Sequence, residues 1–490
     1  MTGLDTPHGN RIVELGVLEL SRRIRSGKLS CEETMVAYLM HIDRINPSVN
    51  AIVSRRSHEE LLGEARSADQ ELARGHLRGP LHGVPQAPKD LAAMRDLPTT
   101  LGSPLFAGRT LGADAVFVER MRRAGAIFVG RTNVPALGLG SHTFNDLHGT
   151  TCNPWDLGRS AGGSSGGAAA AVAARMLPVA DGSDMMGSLR NPGAWNNLFG
   201  LRPTQGMVPF GPTPEMFLQQ FVTDGVLARS VPDLLMLLQL MAGRDARVPL
   251  STGLGADGLA DALSVPLTGC SLAWLGNLDG ELAVEPRLLA AMDAALSHVP
   301  ATGLQIRATA LGFPVAQLWE AWTTLRSFLV AHQYGHLYDD PASFQQLSLE
   351  ARWEIELGRS LQPARIHAAS CIRTRWYAHL LAMFERFDFL VLPGTQVLPF
   401  DAGERWPNSV AARPMDTYHR WMEVMIFASL AGAPALSVPA GFVAGLPFGL
   451  QVIARPGDDA RLLRVGHALD LVIGAAGQAP PVLMDLPLSR

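Results

Sequence analysis

The sequence predicts an α/β fold, because amphipathic helical segments alternate with short apolar runs along much of its 490 residues. Apolar residues recur at helical spacing over 30–45 and 114–124, and the second of these segments is followed by an apolar run over 126–133 that predicts a buried strand. Near the C-terminus, PALSVPAG and GLPFGLQVIARP predict two strands joined by a Gly-rich turn. Alternation of helices and strands favours a largely parallel sheet.

The helical segments carry their own boundary signals. Ser30 and Glu33 form a capping box at the start of the first helix, and Asn46-Pro47 is expected to end it. A charged segment rich in Ala, Leu and Glu predicts a second helix over 57–75. Residues 231–388 contain longer amphipathic helices, over 286–299 and 314–334, so we expect a more variable helical layer there.

The composition is that of a globular protein and argues against several classes of partner. The chain has 41 Lys+Arg against 45 Asp+Glu, a net charge of -4 and no basic stripe, so nucleic acid is not an expected partner. The apolar stretch 424–442 is long enough to span a bilayer, but Pro434 and Pro439 interrupt it. We expect no membrane contact there, but a buried helix end followed by a buried strand.

The cysteines and the N-terminus bear on the cellular environment. Four widely separated cysteines, Cys31, Cys152, Cys270 and Cys371, lack the spacing of a zinc site, and we expect reduced, mostly buried thiols. The first 16 residues carry charge and Pro where a secretory signal would have an apolar core, so a cytoplasmic location is expected.

A Gly/Ser loop that leads into a helix of small residues, 168–174, is the strongest local indication of a functional site. A phosphate-binding loop is disfavoured because no Lys follows the glycines. The GxSxG pattern over 162–166 suggests a hydrolase nucleophile elbow, but no strand precedes it and no HGGG-type segment lies upstream. Cys152 has no matched histidine, so we expect a thiol without catalytic function.

This loop is one of eight motifs that occur in order along the chain. They are GVPQAPKDL around Lys89, RTNVPALGLGS from Arg131, NPWD, AGGSSGG, DGSDMMGSLRNP, GLRPTQGMVP, and the C-terminal pair PALSVPAG and GLPFGLQVIARP. In this order, over about residues 10 to 475, they resemble the amidase signature family of serine hydrolases. The resemblance implies one large α/β domain over 1–490, with a central mixed β-sheet covered by helices on both faces. It divides that domain into a signature core of about 60–230, a helical layer of about 231–390 and C-terminal core elements of about 391–490.

Carried over position by position, the resemblance implies a Ser-Ser-Lys triad. Ser188 would be the nucleophile, Ser164 the bridging serine in a cis peptide, and Lys89 the base. The backbone N–H groups of Met185, Met186, Gly187 and Ser188 would form the oxyanion hole. The family chemistry requires no metal and no organic cofactor.

The physical logic of such a triad depends on the charge of Lys89. A serine hydroxyl is a weak nucleophile until a base removes its proton, and the sequence offers no evident His/Asp pair. Lys89 must be neutral to act, and burial lowers the pKa of a lysine by disfavouring its charged form. Asp184 and Arg190 are expected to form a structural ion pair, and Ser165 either supports Lys89 or Ser164 by a hydrogen bond or caps the following helix.

Two departures from the family pattern concern the substrate. Met186-Gly187 replaces the usual paired glycines before the nucleophile, and Ala136 replaces a common acidic residue after TNxP. The resemblance places the loop 137–144 beside the acyl pocket. Gly138, Leu139 and Phe144 in this loop predict an apolar or aromatic substrate.

We therefore expect a stand-alone amidohydrolase, a monomer or homodimer, that cleaves a small amide through an acyl-enzyme. Esters and carbamates (urethanes) are expected side substrates, since the same acyl-enzyme route serves those bonds. The alternative is the amidase subunit of an amidotransferase complex, which uses glutamine and needs partner subunits.

Overall fold

A computed structural model describes residues 12–254, 263–264 and 267–485. The strands in this part of the chain are β1 Ile52–Val53, β2 Pro85–Gln86, β3 Ile127–Phe128, β4 Arg131–Thr132, β5 Cys152–Asn153, β6 Asp156–Ser160, β7 Ala180–Asp184, β8 Phe199–Arg202, β9 Thr223–Ala228, β10 Ser271–Trp274, β11 Gln305–Ala308, β12 Phe389–Pro393, β13 Ser409–Val410, β14 Arg413–Pro414, β15 Ala435–Val443 and β16 Leu446–Ala454. Eight of them form one sheet with the order β11-β10-β12-β16-β15-β8-β9-β7.

The main sheet is mixed, as the family resemblance implied. β10 runs parallel to β11 and β12, whereas the other neighbours in the sheet are antiparallel. The expectation of a largely parallel sheet is therefore wrong. One reason is local: β15 and β16 pair from Val443 and Leu446 onwards, and a connection this short permits only an antiparallel hairpin.

Helices account for much of the remaining described chain. They are α1 Val17–Arg25, α2 Cys31–Val49, α3 His58–Ala73, α4 Val116–Arg123, α5 Gly166–Ala173, α6 Arg190–Trp195, α7 Val231–Met241, α8 Pro286–Leu296, α9 Val315–Asp339, α10 Pro341–Gln346, α11 Leu349–Ser360, α12 Pro363–Phe384, α13 Ile426–Ala431, α14 Asp459–Ile473 and α15 Val482–Asp485.

Both faces of the sheet are buried under helices. Phe389 and Val391 of β12 belong to the core that includes residues of α7, α8 and α14. Leu390 and Leu392 of the same strand belong to a second core with residues of α9, α12 and α13. Alternate side chains of a strand point to opposite faces, so the sheet lies between two apolar cores. The expected arrangement of helices on both faces is present.

Helix α2 shows where local signals succeed and where they fail. The capping box forms as predicted, with Ser30 Oγ accepting the Glu33 N–H and the Glu33 carboxylate accepting the Ser30 N–H. The helix does not end at Pro47 but continues to Val49, where Asn50 adopts the left-handed conformation. Asn46 Oδ1 accepts the N–H groups of residues 51 and 52, so a local side-chain contact, and not Pro47, fixes the chain at the end of the helix.

The predictions for the strand over 126–133 and for the cysteines are each corrected by the structure. The predicted strand over 126–133 is two short buried strands, β3 and β4. The four cysteines are free, but only Cys31 is buried, whereas Cys152 and Cys270 are partly exposed and Cys371 is exposed, so the prediction of mostly buried thiols is wrong.

Across the described ranges, no helix combines the length and apolar character that crossing a bilayer requires.

Candidate active site

Lys89 follows the short strand β2 and is fixed by its backbone. It forms an isolated parallel bridge with Thr132 of β4. Its N–H donates to Asp181 Oδ2 at 3.0 Å, and its carbonyl accepts from Arg131 Nη2 at 2.8 Å. The side chain is only 1% exposed. The backbone therefore directs a single lysine side chain into the protein interior.

The Lys89 amine lies among hydroxyl and carbonyl oxygens. Nζ is 2.9 Å from Ser164 Oγ, 2.8 Å from Ser165 Oγ and 3.0 Å from Ser183 Oγ, and it donates to the Ser183 carbonyl at 3.2 Å. No ion pair joins it to a carboxylate in the part of the chain that the structure describes. A neutral amine suits this environment, because its lone pair can accept from a serine hydroxyl.

The electrostatics favour the neutral form of this lysine. Burial lowers the pKa of Lys89 to about 7, against the opposing effects of Asp224, Asp184 and Asp181. A substantial fraction of Lys89 is therefore neutral at physiological pH, when an ordinary lysine would be almost fully charged.

The Gly/Ser loop presents Ser164 to this amine. The peptide between Gly163 and Ser164 is cis, as the family resemblance implied. The Gly163 carbonyl accepts the Ser141 hydroxyl at 2.5 Å, and the Gly162 carbonyl accepts the Thr143 hydroxyl at 2.8 Å. Ser165 makes no side-chain cap at the start of α5, so of the two roles considered for it, the contact with Lys89 is the one the structure contains.

The turn that carries Ser188 is organised by Asp184. The Asp184 carboxylate accepts the Gly187 N–H at 2.8 Å and the Leu189 N–H at 3.2 Å, and it pairs with Arg190 at 2.8 Å. Burial alone would raise the pKa of Asp184, but the charges of Arg190 and Arg202 hold it below its usual range. The expected ion pair between Asp184 and Arg190 is present and fully buried.

The same carboxylate changes the expected set of oxyanion donors. The Gly187 N–H donates to Asp184, so it is occupied and the prediction that it serves as a free donor is wrong. The N–H groups of Met185, Met186 and Ser188 have no acceptor within the described ranges. Gly187 instead permits the turn: its φ is +87°, and a Cβ there would lie 2.4 Å from Met425 Cγ.

Ser188 lies beside the Gly/Ser loop with its hydroxyl unengaged. Its carbonyl accepts the Ser165 N–H at 3.2 Å, which fixes the two segments against each other. Within the described residues, its hydroxyl makes no hydrogen bond, either to Ser164 or elsewhere. The structure thus contains the contact between Lys89 and Ser164, but not a closed hydrogen bond between Ser164 and Ser188.

Aromatic and sulfur-containing side chains lie near the turn that carries Ser188. Met185 Sδ accepts from Arg326 at 3.3 Å, and Arg326 is neutralised by Glu354 and donates to Tyr418 Oη at 2.8 Å. An ideal Cβ on Gly140 would lie 3.9 Å from the Tyr418 ring.

A second sulfur contact lies on another side of this turn. Asn191 Nδ2 donates to Met422 Sδ at 3.6 Å and to Ser141 Oγ at 3.0 Å. Of the buried charges near this turn, Asp184 pairs with Arg190, and Arg326 pairs with Glu354.

The residues predicted for the substrate pocket occupy different environments. Leu139 is 7% exposed and packs in an apolar cluster with Val330 and Tyr334 of α9. Gly138 lies against Leu91, and Phe144 packs against the His142 ring and beneath Arg405. Their contribution to substrate binding stays a prediction.

Several site residues escaped prediction from the sequence. Ser183, Ser141 and Asn191 contact the triad segments through hydroxyl and amide groups, and Asp181 holds the Lys89 backbone. Ser183, Asp181 and Asn191 lie within the quoted motif DGSDMMGSLRNP, so period-2 alternation along β7 could have placed Asp181 and Ser183 on one face. The described residues include no cluster of His, Cys, Asp and Glu that could hold a metal ion.

Comparisons with known proteins bear on this geometry. The profile of the family named Amidase matches residues 33–463. An acylamidase of Rhodococcus erythropolis is 33% identical over 471 residues, covering 95% of this chain and 97% of that protein. A glutamyl-tRNA(Gln) amidotransferase subunit of Alkalilimnicola ehrlichii is 32% identical over 490 residues, covering 95% and 99%. The crystal structure of a bacterial aryl acylamidase of the amidase signature enzymes matches with a TM-score of 0.90 at 25% identity, covering 98% of this chain and 100% of that chain.

The structural role of Asp184 can be tested by removing its negative charge. Asp184→Asn leaves the buried guanidinium groups of Arg190 and Arg202 uncompensated, and we expect a loss of about 3 kcal/mol in unfolding free energy. Urea unfolding followed by tryptophan fluorescence measures this loss. The matched control is Asp156→Asn, which removes an exposed pair with Arg159 and should change stability little. Equal, small effects of the two substitutions would contradict the assignment.

Proposed function

The chain belongs to the amidase signature family, and on this premise we propose that it hydrolyses small apolar or aromatic amides through an acyl-enzyme on Ser188. Ser164 and Lys89 relay the proton, and esters and carbamates are side substrates of the same route. The catalytic unit is the single chain, working without a partner subunit.

One observation carries this proposal. The amine of Lys89 is almost completely buried, has no carboxylate partner among the described residues and lies 2.9 Å from the hydroxyl of Ser164. A buried amine with a lowered pKa can accept a proton near neutral pH, which an exposed lysine does poorly. Ser188 lies beside the loop that carries Ser164, and its hydroxyl makes no hydrogen bond within the described residues, which supports a relay from Ser188 through Ser164 to Lys89.

The reaction follows in two balanced halves. Ser188 turns its hydroxyl to Ser164 and attacks the acyl carbon, while its proton passes to Ser164 and the Ser164 proton passes to Lys89. The proton then returns through Ser164 to the leaving amine, and the C–N bond breaks to give the acyl-enzyme. Water then attacks the acyl carbon while its proton passes through Ser164 to Lys89, and the proton returns through Ser164 to Ser188 Oγ as the ester bond breaks and the acid leaves. The oxyanion is received by the N–H groups of Met185, Met186 and Ser188, for which the described part of the chain supplies no other acceptor.

The surroundings of the turn support an uncharged substrate. Arg190 and Arg326 are each paired with a buried carboxylate, so neither carries a free charge for a charged ligand. Met185 and Tyr418 offer a polarizable and an aromatic surface near the turn. The acylamidase and the aryl acylamidase to which the chain is similar are named for acyl amides of this kind.

The second candidate is a glutamine-dependent amidotransferase subunit. The similarity to glutamyl-tRNA(Gln) amidotransferase subunits over nearly their whole length favours it. Glutamine, however, carries an α-ammonium and an α-carboxylate, and binding them requires charged or polar groups that the paired ions beside the turn do not supply. The two candidates differ in substrate and in the need for a partner.

A substrate panel with matched variants tests the proposal. The purified chain should release nitroaniline from acyl anilides and nitrophenol from esters and carbamates faster than it releases ammonia from glutamine. Ser188→Ala and Lys89→Ala should each lower kcat/KM by about 10³-fold or more. The exposed Ser370→Ala and Lys28→Ala are the controls and should retain activity.

Two results of this panel would overturn the proposal. Full activity of Ser188→Ala would exclude the nucleophile, and glutamine hydrolysis exceeding that of every acyl anilide would favour the amidotransferase candidate.

The pH dependence provides an independent check. The base works in its neutral form, so kcat/KM should rise as the pH increases through the Lys89 pKa of about 7 and then reach a plateau. The measurement is the initial rate on a poor anilide, for which acylation limits turnover. A flat profile between about pH 5 and pH 9 would contradict a lysine base.

A further inference from the structure

Two buried acids lie behind Lys89 and take no part in the relay described above. Asp181 of β7 accepts the Lys89 backbone N–H, so it has a structural role. Asp224 of β9 is only 6% exposed, yet within the described residues its carboxylate has neither a hydrogen bond nor an ion pair. An unpartnered carboxylate at this depth is costly and requires a physical reason.

The strand register places this carboxylate on the side of the lysine amine. β7 and β9 are antiparallel, and Asp224 lies directly opposite Ser183. Directly opposed residues of an antiparallel pair project to the same face. Because Ser183 Oγ is 3.0 Å from Lys89 Nζ, the Asp224 side chain lies on the face that the amine occupies.

The other charged groups around Lys89 have ion-pair or hydrogen-bond partners of their own. Asp184 is neutralised by Arg190 and Arg202, and Arg131, which holds the Lys89 carbonyl, lies 3.8 Å from Asp90. Asp181 has one oxygen on the Lys89 backbone.

Among the described residues, neither Asp181 nor Asp224 forms an ion pair, but Asp181 holds the Lys89 backbone N–H, whereas the Asp224 carboxylate accepts no hydrogen bond. Of the three acids that raise the pKa of Lys89 against its burial, Asp224 acts most strongly. Burial raises the pKa of Asp224 itself well above its usual value, Asp181 raises it further, and Lys89 opposes the rise.

We propose that Asp224 is a positioning residue of the acyl-transfer reaction, and that its carboxylate stabilises the ammonium of Lys89 formed when the relay delivers a proton to it. The inference rests on the proposed function. Without Asp224, proton transfer to Lys89 would create an isolated buried cation. With it, the product of each transfer is a charge pair across Ser183, so the ammonium is stable enough to form, while its burial keeps it acidic enough to return the proton.

The composition of the chain makes this inference directly measurable. Lys28 and Lys89 are the only lysines of the sequence, so Lys28→Arg leaves a single lysine. Incorporation of lysine labelled with ¹³C at Cε then gives one NMR signal whose chemical shift reports the charge of Lys89 as the pH changes. The titration needs no substrate, so its result is independent of whether acyl amides are hydrolysed.

Neutral replacements of Asp224 should lower the titration midpoint of Lys89. In the Lys28→Arg background, Asp224→Asn and Asp224→Ser should each lower it by about 1 pH unit, because the ammonium loses its nearby negative charge. The acid limb of kcat/KM should move by the same amount and in the same direction. Asp224→Glu should restore the midpoint, and the exposed Asp279→Asn is the matched control that should leave it unchanged.

The outcomes separate this inference from the proposed function. An unchanged or raised midpoint in either neutral variant, with folding verified by circular dichroism, would overturn the role of Asp224. A lowered midpoint in a chain that hydrolyses no acyl amide would instead retain the coupling between Asp224 and Lys89 and contradict the proposed function.

Discussion

The burial of one lysine amine without a carboxylate hydrogen bond is the constraint on which the site depends. Transfer of an ammonium ion from water into such an interior costs several kcal/mol, and hydroxyl and carbonyl oxygens offset this only in part. Lys89 is therefore shifted towards its neutral form, and the surrounding elements fix its amine among Ser164, Ser165 and Ser183. The bridge to β4 fixes the Lys89 backbone, the Gly/Ser loop supplies the hydroxyls of Ser164 and Ser165, and β7 supplies that of Ser183.

The contacts of Asp184 are a second constraint, and they determine the shape of the turn that carries Ser188. Asp184 binds two backbone N–H groups and a guanidinium at once, so the chain from 185 to 190 has little freedom. The positive φ of Gly187 and the close approach of Met425 explain why glycine stands there, while Met186, which precedes it, is a residue with a side chain. Met186, where the family resemblance leads one to expect glycine, is therefore compatible with the turn, and its side chain is buried in the apolar core that includes residues of α9 and α12.

The sequence was sufficient to predict the features that depend on short-range patterns. The capping box of α2, the helix of small residues after the Gly/Ser loop and the segments of the triad all follow from spacing or from ordered motifs. The prediction of strand direction was wrong, because the alternation of helices and strands does not reveal a hairpin such as β15 and β16. The hydrogen bond that occupies the Gly187 N–H was not predicted, because it depends on the Asp184 side chain binding its own turn. The position of Asp224 was not predicted either, because it depends on the register of β7 and β9. The buried pair of Arg326 and Glu354, 28 residues apart, required the packing of α9 on α11.

The central claim is that the neutral lysine makes Ser188, and no other residue, form a covalent acyl bond with the substrate. The most direct measurement is intact mass and peptide mapping after rapid acid quench with an aryl ester whose acyl group leaves slowly. We predict one acyl group per chain, located on the peptide that contains Ser188 and absent from Ser188→Ala. An acyl group on Ser164 or Cys152, or steady turnover in a burst-free reaction that never accumulates an adduct, would contradict this claim.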